Sequence, residues 1–135
     1  MTTGAERPPS RSAFVEAVGL QLEVVESTYV SGWIDLGPQH HQPWGLIHGG
    51  VYTTAIESAA TVGAARAVLE RGLVAVGVNN NTNFVRAMTG GRVVVEARPL
   101  QQGRTQQLWE VRVIDDEDRL VAVGQVRLQN VTPRA

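Results

Sequence analysis

The sequence predicts an α+β domain in which a curved antiparallel sheet wraps around one long central helix. Residues 51–71 form a run of about twenty residues with Gly63 as its only weak helix former, and a run that is apolar on nearly every side is typical of a buried helix. After Gly72, apolar and polar side chains alternate with a period of two between short turns, as in antiparallel strands with one buried face. A strand pair, one helix and four strands together indicate the α+β class.

Composition excludes several classes of protein. The 135 residues carry a net charge of −1 and all 12 basic residues are arginine, so we expect no polybasic surface for nucleic acid or membranes. The absence of cysteine excludes disulfides, thiolate metal ligands and a cysteine nucleophile. The N-terminal residues lack the apolar core of a signal peptide, and polar residues interrupt the central helix too often for a membrane span. We therefore expect a soluble cytoplasmic protein, whose low aromatic content of 5% suggests that a second subunit helps to close the core.

The segment before the central helix is predicted to hold a tail, a short helix, a hairpin and a loop. We predict that residues 1–11 form a mobile N-terminal tail and that residues 12–130 form a single domain. A short helix is expected to be capped by Ser10 or Ser12 and to end at Gly19. The other predicted elements are a hairpin at residues 20–36 with its turn near Ser31 and Gly32, a loop at 37–46, strands at 74–87, 92–100, 106–114 and 120–128, and turns at Gly90, Gly103 and the acidic residues 115–118.

The sequence His48-Gly49-Gly50 marks the start of the central helix. Two glycines at this position free the backbone N–H groups of the first turn for a close ligand, and the helix dipole adds a positive potential. Such a site can polarise a carbonyl or hold an oxyanion. The alternative is that the glycines merely fit a tight entry into the helix, and for this short sequence taken alone that alternative has the greater weight.

Glu57 is the only carboxylate in the apolar part of the helix, and it shares one face with Thr53 and Thr61. A carboxylate on a buried helix is costly unless it is paired or used, so Glu57 is a catalytic candidate, with a buried ion pair as the alternative. Gly49 lies eight residues earlier, which is about 12 Å along the helix axis. One substrate carbonyl cannot easily contact both residues within one chain. A second copy of the helix would have to supply its Glu57, as in a two-fold dimer.

One combination of residues resembles the signature of hotdog-fold acyl-CoA thioesterases, and it consists of Gln42, His48, Gly49, Gly50, Glu57 and Thr61. The similarity spans about residues 13–128 and includes the segments VGVNNNTNFVR, LQQGR and GQVRLQN. The branch that the chain resembles contains the hydroxybenzoyl-CoA and dihydroxynaphthoyl-CoA thioesterases, which are related to the phenylacetate-degradation thioesterases. The resemblance implies an acyl-CoA substrate, with aromatic acyl groups favoured by the branch, no cofactor, and a homodimer or homotetramer with sites between subunits.

The resemblance also implies roles for these residues. The Gly49 N–H would polarise the thioester carbonyl, while Glu57 of the facing subunit would act either as a nucleophile or as a general base for water. Gln42 and His48 would orient the carbonyl or the loop, and Thr61 would position water or the carboxylate. A thiolate leaving group, with a thiol pKa of about 8.5, departs without much acid assistance.

Other polar residues are candidates for substrate binding. Gly50 and Asn83 are assigned to the substrate, and Arg86 and Arg104 to the coenzyme A phosphates, since arginine suits phosphate recognition. Ordinary surface exposure is an equal alternative for each arginine. The asparagine run at residues 79–81 is unusual in a strand and indicates either a bulge or the part of the strand that faces the substrate.

Two further kinds of site receive little support from the sequence. His40 and His41 lie near His48, but three histidines without a cysteine or carboxylate at ligand spacing make a poor metal site. Ser58 lacks the sequence context of a nucleophilic serine. The alternative functions are a hotdog dehydratase, which typically pairs a catalytic histidine with a carboxylate in a different pattern, and a non-catalytic acyl-CoA-binding module.

Overall fold

The computed structural model describes residues 12–134, and the predicted tail at residues 1–11 lies outside them. The order of helices and strands is the predicted one. The elements are α1 (Ala13–Val18), β1 (Gln21–Val25), β2 (Val30–Leu36), α2 (Gly49–Val68), β3 (Val74–Phe84), β4 (Gly91–Gln102), β5 (Gln106–Asp115) and β6 (Leu120–Val131), with short 3-10 turns at Pro38–His40 and Leu69–Arg71.

The six strands form one antiparallel sheet in the order β1-β2-β4-β5-β6-β3. After β2 the chain leaves the sheet, forms α2, and returns to the far edge as β3, which among the described strands pairs with β6 alone. Helix α2 packs across one face of the sheet and contacts all six strands. The predicted architecture, a sheet wrapped around one long helix, is confirmed.

Helix α1 ends where the sequence predicts, whereas α2 stops at Val68 and a 3-10 turn continues it to the predicted end near Gly72. The Ser12 hydroxyl oxygen accepts a hydrogen bond from the Val15 N–H at 3.0 Å and so caps α1. Gly19 ends α1 with a φ of 88°, and Gly72 ends the turn after α2 with a φ of 69°. Both glycines adopt the left-handed conformation that closes helix C-termini at little steric cost.

The buried face of α2 consists mainly of small side chains. Its fully buried residues include Ala55, Ile56, Ala59, Ala60 and Ala64. The opposite face is only partly covered within residues 12–134, because Glu57 is exposed while Thr53 and Thr61 are half-buried. The expectation that α2 is buried on all sides is therefore wrong within residues 12–134, since the sheet covers one side of the helix and α1 contacts only part of the rest. No helix within residues 12–134 is long and apolar enough to cross a membrane.

Gly63 determines how closely α2 approaches the sheet. An added Cβ at this position would lie 2.4 Å from Trp109 Cη2 and 2.9 Å from Val30 Cγ2. The Trp109 ring is fully buried, and its Nε1–H donates to Gln107 Oε1 at 2.9 Å. Gln107 in turn donates through Nε2 to the Ala64 carbonyl at 3.0 Å, so the ring is fixed against the helix. The one glycine in the interior of α2 thus lies where the helix is too close to the sheet for a Cβ.

The first hairpin turns at a different place from the one predicted. The Glu26 N–H donates to the Tyr29 carbonyl at 2.8 Å and closes the turn, whereas Ser31 and Gly32 are paired residues of β2. Gly32 is needed within the strand because an added Cβ would lie 2.4 Å from the Gln21 carbonyl oxygen. The glycine therefore permits a close approach of β1 and does not form a turn.

Strand β3 departs from a regular ladder at two places. Its register shifts between Gly77 and Asn79, so the bulge that the asparagine run indicates is confirmed. The strand ends at Phe84 and not at residue 87. The next two backbone N–H groups both donate to the Val121 carbonyl, at 2.8 and 3.1 Å, and this shared acceptor ends the regular pairing.

The predicted acidic turn between β5 and β6 is confirmed. Asp115 Oδ1 accepts from the N–H groups of Glu117 and Arg119, each at 2.9 Å, and Oδ2 accepts from Arg119 Nε at 2.8 Å. Burial raises the pKa of the Asp115 carboxyl, but these hydrogen bonds and the guanidinium charge outweigh burial and hold the pKa below its ordinary value. The charged carboxylate therefore fixes the turn.

We expect Gly63→Ala to destabilise the protein, although alanine favours a helix over glycine by about 1 kcal/mol. The added methyl group overpacks the contact with the fixed Trp109 ring, which costs about 1–3 kcal/mol. Urea unfolding should therefore show a lower free energy of unfolding than that of the parent. Ala65→Gly, two residues along the same helix, provides the helix-propensity comparison. A gain in stability for Gly63→Ala would show that the Trp109 ring has room to move.

Candidate active site

His48 caps the N-terminus of α2. Its Nδ1 accepts from the Gly50 N–H at 2.8 Å, and its carbonyl accepts from the Val51 N–H at 3.0 Å. The His48 N–H donates to the His40 carbonyl at 2.8 Å, which ties the helix start to the preceding loop. The His48 ring thus has a structural role in this chain, and the Gly50 N–H that the sequence assigns to the substrate is already occupied.

The Gly49 N–H is the backbone donor left over at this helix start, since it has no acceptor within residues 12–134. Gly49 lines a cavity of about 340 Å³, which we call the Gly49 cavity, with Gln42, Tyr52, Phe84, Arg86 and Met88 among its other residues. An added Cβ at Gly49 would lie 2.7 Å from Phe84 Cζ. A side chain at this position would therefore displace the exposed Phe84 ring or the substrate.

Gln42 is oriented by its own loop. Its side-chain Oε1 accepts a hydrogen bond from the Trp44 N–H, and its backbone N–H donates to the Leu46 carbonyl at 2.7 Å. The loop engages the oxygen end of the Gln42 amide, and the NH₂ end has no partner within residues 12–134, so this end can donate to a ligand in the Gly49 cavity. Gln42 and Gly49 thus place two N–H donors on the same cavity.

Glu57 lies on the uncovered face of α2, away from this cavity. It borders a cavity of about 360 Å³ lined by Thr53, Thr54, Ser58, Phe14 and Asn80, and a neighbouring cavity of about 520 Å³ that also contains Thr61. Asn80 Nδ2 donates to Glu57 Oε1 at 3.4 Å. Glu57 Oε2 has no hydrogen-bond partner within residues 12–134.

The backbone N–H of Gly49 and the carboxylate of Glu57 are therefore held apart within one chain. The Gly49 cavity shares no lining residue with either cavity beside Glu57. Gly49 and Glu57 belong to the same helix, in which eight residues span about 12 Å. One chain thus presents two separate half-sites. One contains the N–H donors of Gly49 and Gln42, and the other contains the carboxylate of Glu57.

The remaining predicted site residues are divided between these regions and the rest of the surface. Thr61 borders the same cavity as Glu57, on the helix face that the sequence assigns to both, and Arg86 lines the Gly49 cavity. The assignment of Asn83 to the substrate is not supported, because Asn83 lines a cavity with Glu110 on the sheet face opposite α2. Arg104 lies beyond the other end of α2, where its carbonyl accepts from Arg71 Nη2 at 3.0 Å. Neither Asn83 nor Arg104 lines the Gly49 cavity or a cavity beside Glu57 in its own chain.

The two loop histidines contact backbone. The His40 ring accepts at Nδ1 from the Gly37 N–H at 3.1 Å, so its Nε2 donates to the Val18 carbonyl at 2.7 Å. His41 Nε2 lies 2.7 Å from the Thr89 carbonyl oxygen. Within residues 12–134 no three potential ligands cluster in a way that could hold a metal ion. Both rings connect the loop before α2 to its surroundings.

Two residues of the site were missed by sequence reasoning. Asn80 was noted only as part of an unusual run, and its contact with Glu57 depends on the bulge in β3. Tyr52 lines the Gly49 cavity and packs against Phe84, with 6.3 Å between ring centroids. Its hydroxyl is buried without a hydrogen-bond partner in the described part of the chain, and burial raises the pKa of Tyr52 to about 12. The signal in the sequence that could have identified Tyr52 is the presence of one large aromatic residue in an alanine-rich helix.

Comparisons with known proteins agree with this architecture. Residues 45–122 match the family described as the Thioesterase superfamily. A Mycobacterium tuberculosis protein provisionally named an esterase is 47% identical over 124 residues, which cover 90% of this chain and 88% of the relative. The solved structure of that protein has a TM-score of 0.88 and 44% sequence identity, and the match covers 92% of this chain and 100% of that chain.

Two relatives have more specific names. The proofreading thioesterase EntH of Klebsiella pneumoniae is 30% identical over 119 residues, 88% of this chain and 86% of the relative. The 1,4-dihydroxy-2-naphthoyl-CoA hydrolase of Listeria monocytogenes is 28% identical over 109 residues, 81% of this chain and 88% of the relative. The curved sheet around one helix is the hotdog fold of thioester hydrolases. The chain belongs to the Thioesterase superfamily, and it is a thioester-hydrolysing enzyme.

We expect Tyr52→Phe to stabilise the protein by about 1 kcal/mol, because the change removes a buried hydroxyl that has no partner and keeps the ring. Thermal and urea unfolding of the parent and the variant at equal protein concentration measure this difference. Phe84→Leu serves as a control for the packing between the two rings. A loss of stability in Tyr52→Phe would show that the hydroxyl is hydrogen-bonded in solution to a group outside residues 12–134 of its own chain.

Proposed function

We propose that this protein is an acyl-CoA thioesterase whose active site is formed by two subunits and releases a free acid and coenzyme A. The observation that carries the proposal is the separation of Gly49 and Glu57 along one helix. A carbonyl and its attacking group must lie about 3 Å apart, whereas these residues are about 12 Å apart along the axis. Pairing two antiparallel copies of α2 would bring Glu57 of one subunit towards Gly49 of the other.

The proposed reaction is hydrolysis of the thioester by the N–H donors of Gly49 and Gln42 together with the carboxylate of Glu57. The Gly49 N–H and the Gln42 amide NH₂ donate to the thioester oxygen, and the positive end of α2 stabilises the charge that develops there. The carboxylate of Glu57 either attacks the carbonyl carbon, giving an anhydride that water then hydrolyses, or removes a proton from an attacking water. The C–S bond breaks in either case, and coenzyme A leaves as a thiolate, with a thiol pKa of about 8.5.

The free edge of β3 supports the two-subunit arrangement. Within residues 12–134, β3 pairs with β6 on one side alone, so its other side presents backbone groups that no described strand pairs. Three valines of this strand, Val74, Val76 and Val78, are 37%, 49% and 55% exposed. Antiparallel pairing of two β3 strands would continue the sheet across a two-fold axis and cover these side chains. A homodimer is the minimal assembly, and a homotetramer of two such dimers is also compatible.

The proposed substrates are aromatic acyl-CoA thioesters. The Gly49 cavity has an apolar wall that includes Leu46, Ile47, Phe84 and Met88, which suits a flat apolar acyl group. Arg86 borders the same cavity and is the proposed contact for a coenzyme A phosphate. The name of the Listeria monocytogenes relative, a hydrolase of a naphthoyl-CoA, agrees with this substrate class.

We expect Glu57→Gln to reduce hydrolysis of an aromatic acyl-CoA by at least about a hundredfold while sparing the fold, since the amide can neither attack nor accept a proton. Release of free thiol from a panel of benzoyl-, phenylacetyl- and short aliphatic acyl-CoA substrates measures the rate. His48→Ala is the comparison, with a smaller loss expected because its ring caps α2. Turnover near the parental rate in Glu57→Gln would remove this residue from the mechanism. A parent that binds acyl-CoA without releasing thiol would favour the non-catalytic alternative.

Subunit complementation tests the shared site. Glu57→Gln and Gly49→Val chains are each expected to be inactive, because one lacks the carboxylate and the other obstructs the N–H donor. A mixed dimer would contain one intact site and one doubly damaged site, so mixed dimers should regain about half of the parental activity per dimer. Mass spectrometry of the mixture confirms that subunits exchange. Exchange without recovered activity would show that each site lies within one chain.

A further inference from the structure

The bulge in β3 directs two residues of the strand towards Glu57. Gly77 pairs with Leu128 and Asn79 with Arg127, so one extra residue, Val78, is accommodated between them. An added Cβ at Gly77 would lie 3.9 Å from both Cδ and Oε2 of Glu57, and Asn80 contacts Oε1. Strand β3 therefore borders the carboxylate with a glycine on one side and an amide on the other.

The orientation of the Asn80 amide is determined by its neighbours. The Thr82 hydroxyl donates to Asn80 Oδ1 at 2.7 Å, and Asn80 Nδ2 donates to the Thr53 carbonyl at 3.1 Å. Turning the amide over would place Oδ1 against the Thr53 carbonyl oxygen and the Glu57 carboxylate, both of which are acceptors. The NH₂ group of Asn80 must therefore face Glu57.

We propose that Asn80, supported by Thr82, is a positioning residue that holds Glu57 Oε1 and leaves Oε2 as the reactive oxygen. This inference rests on the proposed catalytic role of Glu57. The distance from Asn80 Nδ2 to Oε1 is 3.4 Å, which is long for a hydrogen bond and permits tightening when substrate binds. The carboxylate is otherwise exposed, so without this contact its side chain would sample many rotamers. Fixing one oxygen directs the other and lowers the entropy lost in reaching the transition state.

Three substitutions at the asparagine run test the proposal. Asn80→Leu removes the donor at similar volume and should lower kcat by about tenfold to a hundredfold, with KM changed by less than about twofold. Asn80→Asp is isosteric but sets a carboxylate against the Thr53 carbonyl and Glu57, so its kcat should fall further than that of Asn80→Leu. Asn81→Asp makes the same change one residue along the strand, on the sheet face away from Glu57, and should keep kcat within about twofold.

The order of the two Asn80 variants separates positioning from packing, because a purely structural role would favour the isosteric aspartate. A parental kcat in Asn80→Leu, or a higher kcat in Asn80→Asp than in Asn80→Leu, would overturn the proposal. Glu57→Gln is measured in the same assay. If Glu57→Gln is inactive and Asn80→Leu keeps the parental kcat, the positioning role fails while the proposed function stands. If Glu57→Gln is active, the catalytic assignment itself fails.

Thr82→Val provides a second test that leaves Asn80 in place. Loss of the hydroxyl donor frees the Asn80 amide to rotate, so kcat should fall by about threefold to tenfold with KM unchanged. Combined with Asn80→Leu, it should cause no further loss, because both changes interrupt the same chain of hydrogen bonds. Additive losses in kcat would show that Thr82 acts independently of Asn80 and would contradict the support assigned to it.

Discussion

The close contact between α2 and the sheet is the constraint on which the other features depend. Gly63 allows the helix backbone to approach the Trp109 ring, and Gln107 joins that ring to the Ala64 carbonyl. A helix held at this distance along a face of alanines has little freedom to rotate or slide. Its polar face must then point away from the sheet, and every residue on that face has a fixed position along the axis.

This rigidity explains why the candidate site is divided. The Gly49 N–H has no acceptor within residues 12–134, whereas the His48 ring and carbonyl accept from the next two N–H groups, and Gln42 lines the same cavity. Glu57 lies two turns further along, where no rotamer of its side chain can span about 12 Å. The separation is a property of helical backbone geometry, so side-chain motion cannot close it. A second subunit is the simplest source of the missing half, as proposed above.

Strand β3 connects the features that surround both halves. Its bulge directs Asn80 towards Glu57, its last residue Phe84 lies against Gly49, and its free edge carries the exposed valines. A change in the register of this strand would therefore alter the surroundings of the Glu57 carboxylate, the Gly49 cavity and the proposed subunit contact together. The unusual asparagine run belongs to this strand, where Thr82 and the Thr53 carbonyl determine the orientation of Asn80.

The sequence by itself determined the α+β class, the order of elements, the ends of α1 and the glycine that follows α2, because periodicity and caps depend on neighbours within a few residues along the chain. It also placed Gly49 and Glu57 on one helix at a known spacing. Only the tertiary structure decided that Gly32 serves a close strand contact and that Asn80 faces the helix while Asn83 does not. Those outcomes depend on strand register and on the bulge, which shifts the alternation of side chains, and on contacts between residues far apart in the chain.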